Sequence, residues 1–357
     1  MSLIESGLNT EKEHDPRHRP TLDGLRAGAC LLVVIKHLLE TAKIHEQAQI
    51  IGSVGVLIFF SLSGFLMGFL YLSQNCTAEN VAKYAIARFS RITPAYYIAI
   101  LVYAALHILL SFYDTMSPLH IIRCFLFAGS VGVFWSIGPE VQFYTFFAGI
   151  WLAVREFKKK NFTPLVIMAI VSCALVASRS LWPGILLPSK LHIFLFGVMS
   201  ALLIRKEAVK SALTRPIVQI SLLCACLGYF VFLITQSNIF DDLLFPAIIS
   251  LTIASLSATT FVTYVFQLKW IRFIGAASFS IYLFHEPVTG IVNKYFLPLH
   301  DRNLPGFVPV AILAVAIPSL FYVFVEKNLN ALMKRKLSGW YDRGGAPLMN
   351  ITQSEKC

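Results

Sequence analysis

The chain alternates long apolar runs with short polar breaks, and the runs have the length of a bilayer rather than of a soluble core. Ten can be bounded, near residues 21–45, 52–73, 92–113, 133–155, 163–181, 187–205, 217–235, 243–266, 276–297 and 306–327. A helix crosses the hydrocarbon layer in about 20 residues, so each run predicts one spanning helix. Apolar residues within a run are continuous, whereas the strands of a membrane barrel alternate apolar and polar. Backbone groups in lipid must be satisfied internally, which leaves a helix bundle. The predicted fold class is all-α: a polytopic transmembrane helix bundle of about ten spans, with N- and C-termini cytoplasmic. Residues 1–20 read as a polar cytoplasmic arm, 21–327 as the membrane domain and 328–357 as a cytoplasmic tail that begins as a basic helical stretch. The segment 113–132 is too long and too apolar for a plain turn, and predicts a re-entrant or interfacial helix.

Composition agrees with this picture. Of 357 residues, 57% are hydrophobic and only 14% charged, against ~25% charged in an average soluble domain; the mean hydropathy is +0.69. A net charge of +11 would suit a nucleic-acid partner, but its distribution argues otherwise. With the N-terminus inside, Lys83, Arg88, Arg91, Arg155, Lys158, Arg205, Lys206, Lys210, Arg215, Lys269 and Arg272 fall in or beside inner loops. Outer loops carry Asp114, Asp241, Asp242 and Asp301 instead. This is the positive-inside pattern: the charge sets topology, the surroundings are membrane lipids, and no nucleic-acid partner is expected. Seven scattered cysteines show no metal or disulfide spacing.

What the pattern does not explain is a set of ionisable residues inside the runs, where they are costly and point to function. Arg26 and His37 lie eleven residues apart in the first run. Eleven steps of a helix are three turns with ~20° of drift, so the two share one face, roughly 16 Å apart along the axis. Lys36 is a further 100° around and is expected to pack or snorkel. Arg88 and Arg91 stand at the cytoplasmic end of the third run, at the depth of Arg26. Three guanidiniums there suit bidentate recognition of phosphate. His37, deeper on the same face, is a candidate general base. In FWSIGPEVQFY, Pro139 favours a first helical turn and Glu140 comes to a depth comparable with His37. That depth makes Glu140 a candidate to hold or charge the imidazole. In FSIYLFHEP, His285 and Glu286, with Tyr282 one turn earlier, are candidate cavity-lining and substrate-binding residues. Ser63 and Gly64 lie in SLSGFLMG, where Gly64 and Gly68 form a GxxxG packing motif.

Taken in order, RPTLDGLRAGACLLVVIKH, IFFSLSGFLMG, ARFSRITPAYY, FWSIGPEVQFY and FSIYLFHEP resemble the motifs of the acyltransferase-3 family of integral membrane acyltransferases. The resemblance covers residues 19 to 287, and ten spans with both ends inside is that family's topology. It implies transfer of an acyl group, usually acetyl, from acyl-coenzyme A to a hydroxyl of a cell-envelope glycan. The expected localisation is the bacterial inner membrane. Acetyl-CoA is implied as donor substrate, with no permanently bound cofactor and no metal. Lipopolysaccharide O-antigen is the first acceptor to consider, with a lipid-linked saccharide among the possible partners. By motif, His37 is the family's essential histidine, Arg26, Arg88 and Arg91 its donor-associated arginines, and Ser63 and Gly64 part of its SGF segment. Glu140 and His285 fall in its later motifs. One departure is Ala87, where many members have an arginine next to the first arginine of Arg-x2-Arg. Two other classes fit a many-spanning chain: a secondary transporter, which commonly shows a repeated half not found here, and a flippase-like component for an acyl group or lipid-linked sugar.

Overall fold

The computed structural model describes residues 19–41, 48–112, 117–233, 239–258, 260–296 and 304–343. Among them the regular structure is entirely helical. The first α-helices in chain order are α1 Pro20–Thr41, α2 Ala48–Tyr71, α3 Ala78–Leu110, α4 Pro118–Phe125, α5 Ile137–Lys158, α6 Thr163–Ala177 and α7 Leu191–Leu203. After these come α8 Glu207–Leu213, α9 Pro216–Leu233, α10 Leu244–Leu256, α11 Lys269–Tyr295, α12 Leu304–Phe321 and α13 Lys327–Asp342.

Four helices among the described residues are long and apolar enough to cross a membrane: α2, α3, α9 and the continuous Gly306–Asp342. Three more, α6, α7 and α10, are apolar but only 15, 13 and 13 residues long. The helices α1, α5 and α11 are 22, 22 and 27 residues long and carry the ionisable residues singled out above. Several boundaries differ from the sequence pattern. The third run extends back to Ala78 as a 33-residue helix, so Arg88 and Arg91 lie within it and not at its end. Thr77 caps that helix, its hydroxyl accepting the Asn80 N–H at 3.2 Å. The last run continues through a π-helical turn at Tyr322–Glu326 into α13, although the sequence pattern breaks near residue 327. In segment 113–132, residues 113–116 lie outside the described residues. The remainder forms the short α4 and a reversal through left-handed Phe127 and Gly132.

The centre of the bundle is α1, α2, α7 and α11, with α1 packed between α2 and α11. Small residues permit the closest crossings. A Cβ on Gly64 would collide with the Phe194 carbonyl oxygen of α7, and one on Gly275 with the Asp23 carbonyl oxygen of α1. Either substitution would force helices apart. By contrast α6 has no buried residue, and Val166, Ile167 and Ile170 stand exposed along it. An apolar outer face is what a helix in lipid presents.

Pro287 lies inside α11 without ending it. Lacking an N–H, it orphans the carbonyl of Leu283 one turn earlier, which in a membrane must find another donor. The Tyr103 hydroxyl of α3 lies 3.2 Å from that carbonyl oxygen and 3.2 Å from Glu286 Oε2, its single hydrogen shared between the two acceptors. One tyrosine thus ties α3 to α11 beside His285.

Candidate active site

Two cavities open against α1, and they share Val56 and Tyr282 as a common wall. The first is a narrow slot of about 60 Å³ whose walls include Arg26, Arg88, Arg91, Ser63, Glu140 and Tyr144 among apolar side chains of α2 and α11. The second is a polar chamber of about 220 Å³ lined by Lys36, His37, Glu40, Gln49, Ser53, Trp135 and Glu286. Arg26 and His37, on one face of α1, therefore lie in adjacent spaces, one residue to each.

In the slot the guanidiniums are held from behind. Arg26 Nη1 is 3.1 Å from Asp23 Oδ1. Arg88 donates through Nη2 to the Tyr71 hydroxyl at 3.1 Å and lies over the rings of Tyr71 and Tyr144, 5.6 and 5.9 Å from their centroids. Cation–π contacts of this kind orient a planar cation without neutralising it. Arg88 Nε is buried with no partner among the described residues, and an unpaired buried donor is costly until a ligand satisfies it. With Arg91 on the same wall, the slot gathers three cations on one surface and suits an anion.

Glu140 shares that slot and departs from the role expected of it. Its Oε1 accepts from the Ser63 hydroxyl at 2.7 Å and from the Tyr144 hydroxyl at 2.6 Å; among the described residues it makes no hydrogen bond to His37. The reason is geometric. The 3₁₀ turn Gly132–Ser136 starts α5 beside Tyr282, so Glu140 enters on the slot side of the shared wall. Ser63 belongs to the slot through this bond. Gly64, one residue on, faces α7 and serves helix packing, not the cavity.

In the chamber the imidazole of His37 meets a second imidazole. His37 Nδ1 lies 3.0 Å from His285 Nε2 and 3.0 Å from the Val33 carbonyl oxygen. His285 Nδ1 lies 2.9 Å from the Ile281 carbonyl oxygen. A carbonyl oxygen only accepts, so both Nδ1 atoms must carry hydrogen. His285 Nε2 is then the acceptor and His37 Nδ1–H the donor, shared with Val33. That assignment leaves the lone pair on His37 Nε2, the atom on the chamber side. His285 is fully buried, its ring 4.8 Å from that of His37 at 62°. It lies behind His37 as an acceptor that would hold a charged imidazolium in place, the part expected of Glu140.

Lys36 also departs from expectation. Its ammonium is 3.3 Å from His37 Nε2 and 2.8 Å from Glu40 Oε2, so it lines the chamber. The chamber's remaining carboxylate, Glu286, is fixed by Tyr103. Tyr282, on the shared wall, has its hydroxyl 2.7 Å from Ser136 Oγ and donates to the Val133 carbonyl at 3.0 Å.

The pairing of His37 with His285 joins residues 248 positions apart, and nothing in one sequence announces it. Tyr144 was not singled out either, although it lies one helical turn after Glu140 and helical spacing could have found it. Glu326 was missed as well. It is buried on the π-helical turn, accepts from Ser280 of α11 and receives Asn330 Nδ2 at 3.4 Å.

Comparison with known proteins places the chain in a family. No solved structure matches the chain. Among curated proteins, an O-acetyltransferase OatA of Staphylococcus aureus is 25% identical over 361 residues, covering 88% of this chain and 58% of its own length. A putative O-acetyltransferase of the same species is 26% identical over 355 residues, covering 87% and 57%. The chain thus spans somewhat over half the length of the curated relatives it matches. The model of the acyltransferase-3 family, described as an acyltransferase domain, matches residues 19–323, which include both cavities, and the chain belongs to that family.

Proposed function

We propose that the protein is a membrane O-acyltransferase of the bacterial inner membrane. It moves an acetyl or other acyl group from acyl-coenzyme A to a hydroxyl of a cell-envelope glycan or lipid-linked saccharide. The observation that carries this reading is the pair of adjoining cavities against one helix, a cationic slot beside a polar chamber that holds an imidazole whose Nε2 lone pair faces the Lys36 ammonium. In this scheme the phosphates of the donor lie on Arg26, Arg88 and Arg91, and the thioester reaches the shared wall at Tyr282.

The proton positions dictate the chemistry. His37 Nε2 takes the proton of the acceptor hydroxyl as its oxygen attacks the thioester carbonyl. The imidazolium that forms keeps its Nδ1–H on His285 and Val33, so His285 is a positioning residue. Collapse of the tetrahedral adduct breaks the carbon–sulfur bond, and the departing thiolate recovers the proton from His37 Nε2. For Nε2 to meet the hydroxyl, Lys36 must leave it, and Glu40 at 2.8 Å is the partner that receives the ammonium. Trp135, Gln49, Ser53 and Glu286 give the chamber the mixture of aromatic face, donors and acceptors that a polyhydroxylated acceptor calls for. Lipopolysaccharide O-antigen is the first acceptor to test.

The direct test uses purified protein in lipid nanodiscs with radiolabelled acetyl-CoA and isolated glycan acceptors. Label should move to the glycan with wild-type protein and not with His37→Ala. Transfer by His37→Ala at a near wild-type rate would contradict the mechanism, as would uptake of labelled sugar into vesicles without acetyl-CoA consumption.

A further inference from the structure

Displaced from His37, Glu140 leaves an unexplained carboxylate in a slot built for an anion. Among the described residues it pairs with none of the three arginines, its contacts being hydroxyls. Both of those bonds fall on Oε1, and Oε2 has no hydrogen-bond partner among the described residues. Two hydroxyl donors on one oxygen fix the carboxylate's orientation, so the other oxygen is presented to the slot at little entropic cost.

We infer that Glu140 is a donor-binding residue whose Oε2 accepts a hydrogen bond from a secondary amide N–H of the pantetheine arm. This rests on reading the slot as the acyl-CoA site. The chemistry selects a neutral hydrogen-bond donor, and two of the three such groups on the arm are amides. An ionised carboxylate only accepts and repels phosphate, so the phosphates belong on the arginines and a neutral donor group belongs at Glu140. Along the coenzyme, the groups between phosphate and thioester that offer such hydrogens are the arm's two secondary amides and its hydroxyl. The slot is narrow, and its other walls are mostly apolar (Val56, Phe59 and Leu62 among them) with the hydroxyls of Ser136 and Ser278, which suits an extended chain of methylenes broken by amides. A hydrogen bond to a charged acceptor is also stronger than a neutral one. The arm would then be held at a fixed point between the arginines and the shared wall at Tyr282, which sets how far the thioester reaches toward His37.

The test separates the two ends of the donor. Wild-type, Glu140→Gln and Glu140→Ala proteins are compared in nanodiscs. The probes are adenosine 3′,5′-bisphosphate, which has the phosphates without the arm, and S-acetylpantetheine, which has the arm without the nucleotide. Glutamine is the sharper variant: if its oxygen keeps Ser63 and Tyr144, its NH2 faces the slot and cannot accept. In both variants KM for S-acetylpantetheine and for acetyl-CoA should rise by about tenfold or more. Binding of the bisphosphate should stay within about twofold, which also shows that the variants are folded. Unchanged KM for S-acetylpantetheine in both variants would overturn the inference, and so would bisphosphate affinity that moves in parallel with acetyl-CoA, since that would mark Glu140 as part of the slot's charge balance alone. If wild-type protein engages neither probe, the donor reading itself fails.

Discussion

The slot and the chamber are separated by little more than Val56 and Tyr282, yet they are built on opposite principles. In the slot, charge is gathered and left open: Arg88 has an unpaired buried Nε and Arg91 stands beside it on the same wall. In the chamber, polar groups are paired with one another. His37 is held by His285 and Val33, Lys36 by Glu40, and Glu286 by Tyr103. Open cations suit a ligand whose charge is permanent. A hydrogen-bonded imidazole suits a reaction in which charge appears only at the transition state, where preorganised partners count most. The difference teaches that, under the proposed function, binding and catalysis fall to different side chains in neighbouring cavities and should be separable by mutation.

The largest expected effect is at His37. Its replacement by alanine should lower the transfer rate by about a hundredfold or more, the range for loss of a general base, with acetyl-CoA affinity measured by filter binding nearly intact. Replacing His285 with alanine removes the acceptor behind His37 while leaving Nε2 in the chamber. Turnover should fall by roughly tenfold to a hundredfold, since a hydrogen bond to a charged group is worth ~1.5–3 kcal/mol, again with KM for acetyl-CoA little altered. A parallel loss of acetyl-CoA binding in His285→Ala would show that the two cavities are one functional unit.

On the slot side, Arg88→Ala should raise KM for acetyl-CoA by about tenfold while kcat stays within a few-fold, because it removes a charge-assisted contact to phosphate. S-acetylpantetheine, without phosphate, should show no such penalty. The smallest effect concerns the frame that both regions share. Tyr103→Phe would leave the Leu283 carbonyl and Glu286 without their donor. It should lower stability by about 1–3 kcal/mol, read as an earlier midpoint in denaturant-induced unfolding in detergent, with a modest fall in turnover.

The sequence made the slot more legible than the chamber, for physical reasons. Arg26 stands out because a cation inside an apolar run is costly, Arg88 and Arg91 join it by standing at the same depth, and helical spacing places Arg26 and His37 on one face. Glu140 was equally visible but mis-assigned. Depth along the bilayer can be counted from residue numbers, whereas the side of a wall on which a helix enters depends on the 3₁₀ turn and reversal at residues 127–136. His285 was visible as a costly residue, but its pairing with His37 depends on how α1 and α11 pack, with Gly275 against the Asp23 carbonyl. Lys36 was placed by a 100° offset alone; its four-carbon stem is long enough to bring the ammonium back to His37. For the fold, the helical class and most helices were readable from apolar runs. Their ends were less so: α3 begins well before its apolar run, in polar sequence that a hydrophobicity pattern reads as a boundary, and the last run passes without a break into the basic helix expected after it.

The most direct test of separate binding and catalytic stations is a crossed measurement on His37→Ala and Arg88→Ala in the same nanodiscs, with acetyl-CoA affinity and single-turnover transfer recorded for each. The expected result is a double dissociation: His37→Ala binds donor like wild type and fails to transfer, while Arg88→Ala binds weakly and transfers at near wild-type rate once saturated. Affinity and transfer falling together in both variants would contradict it.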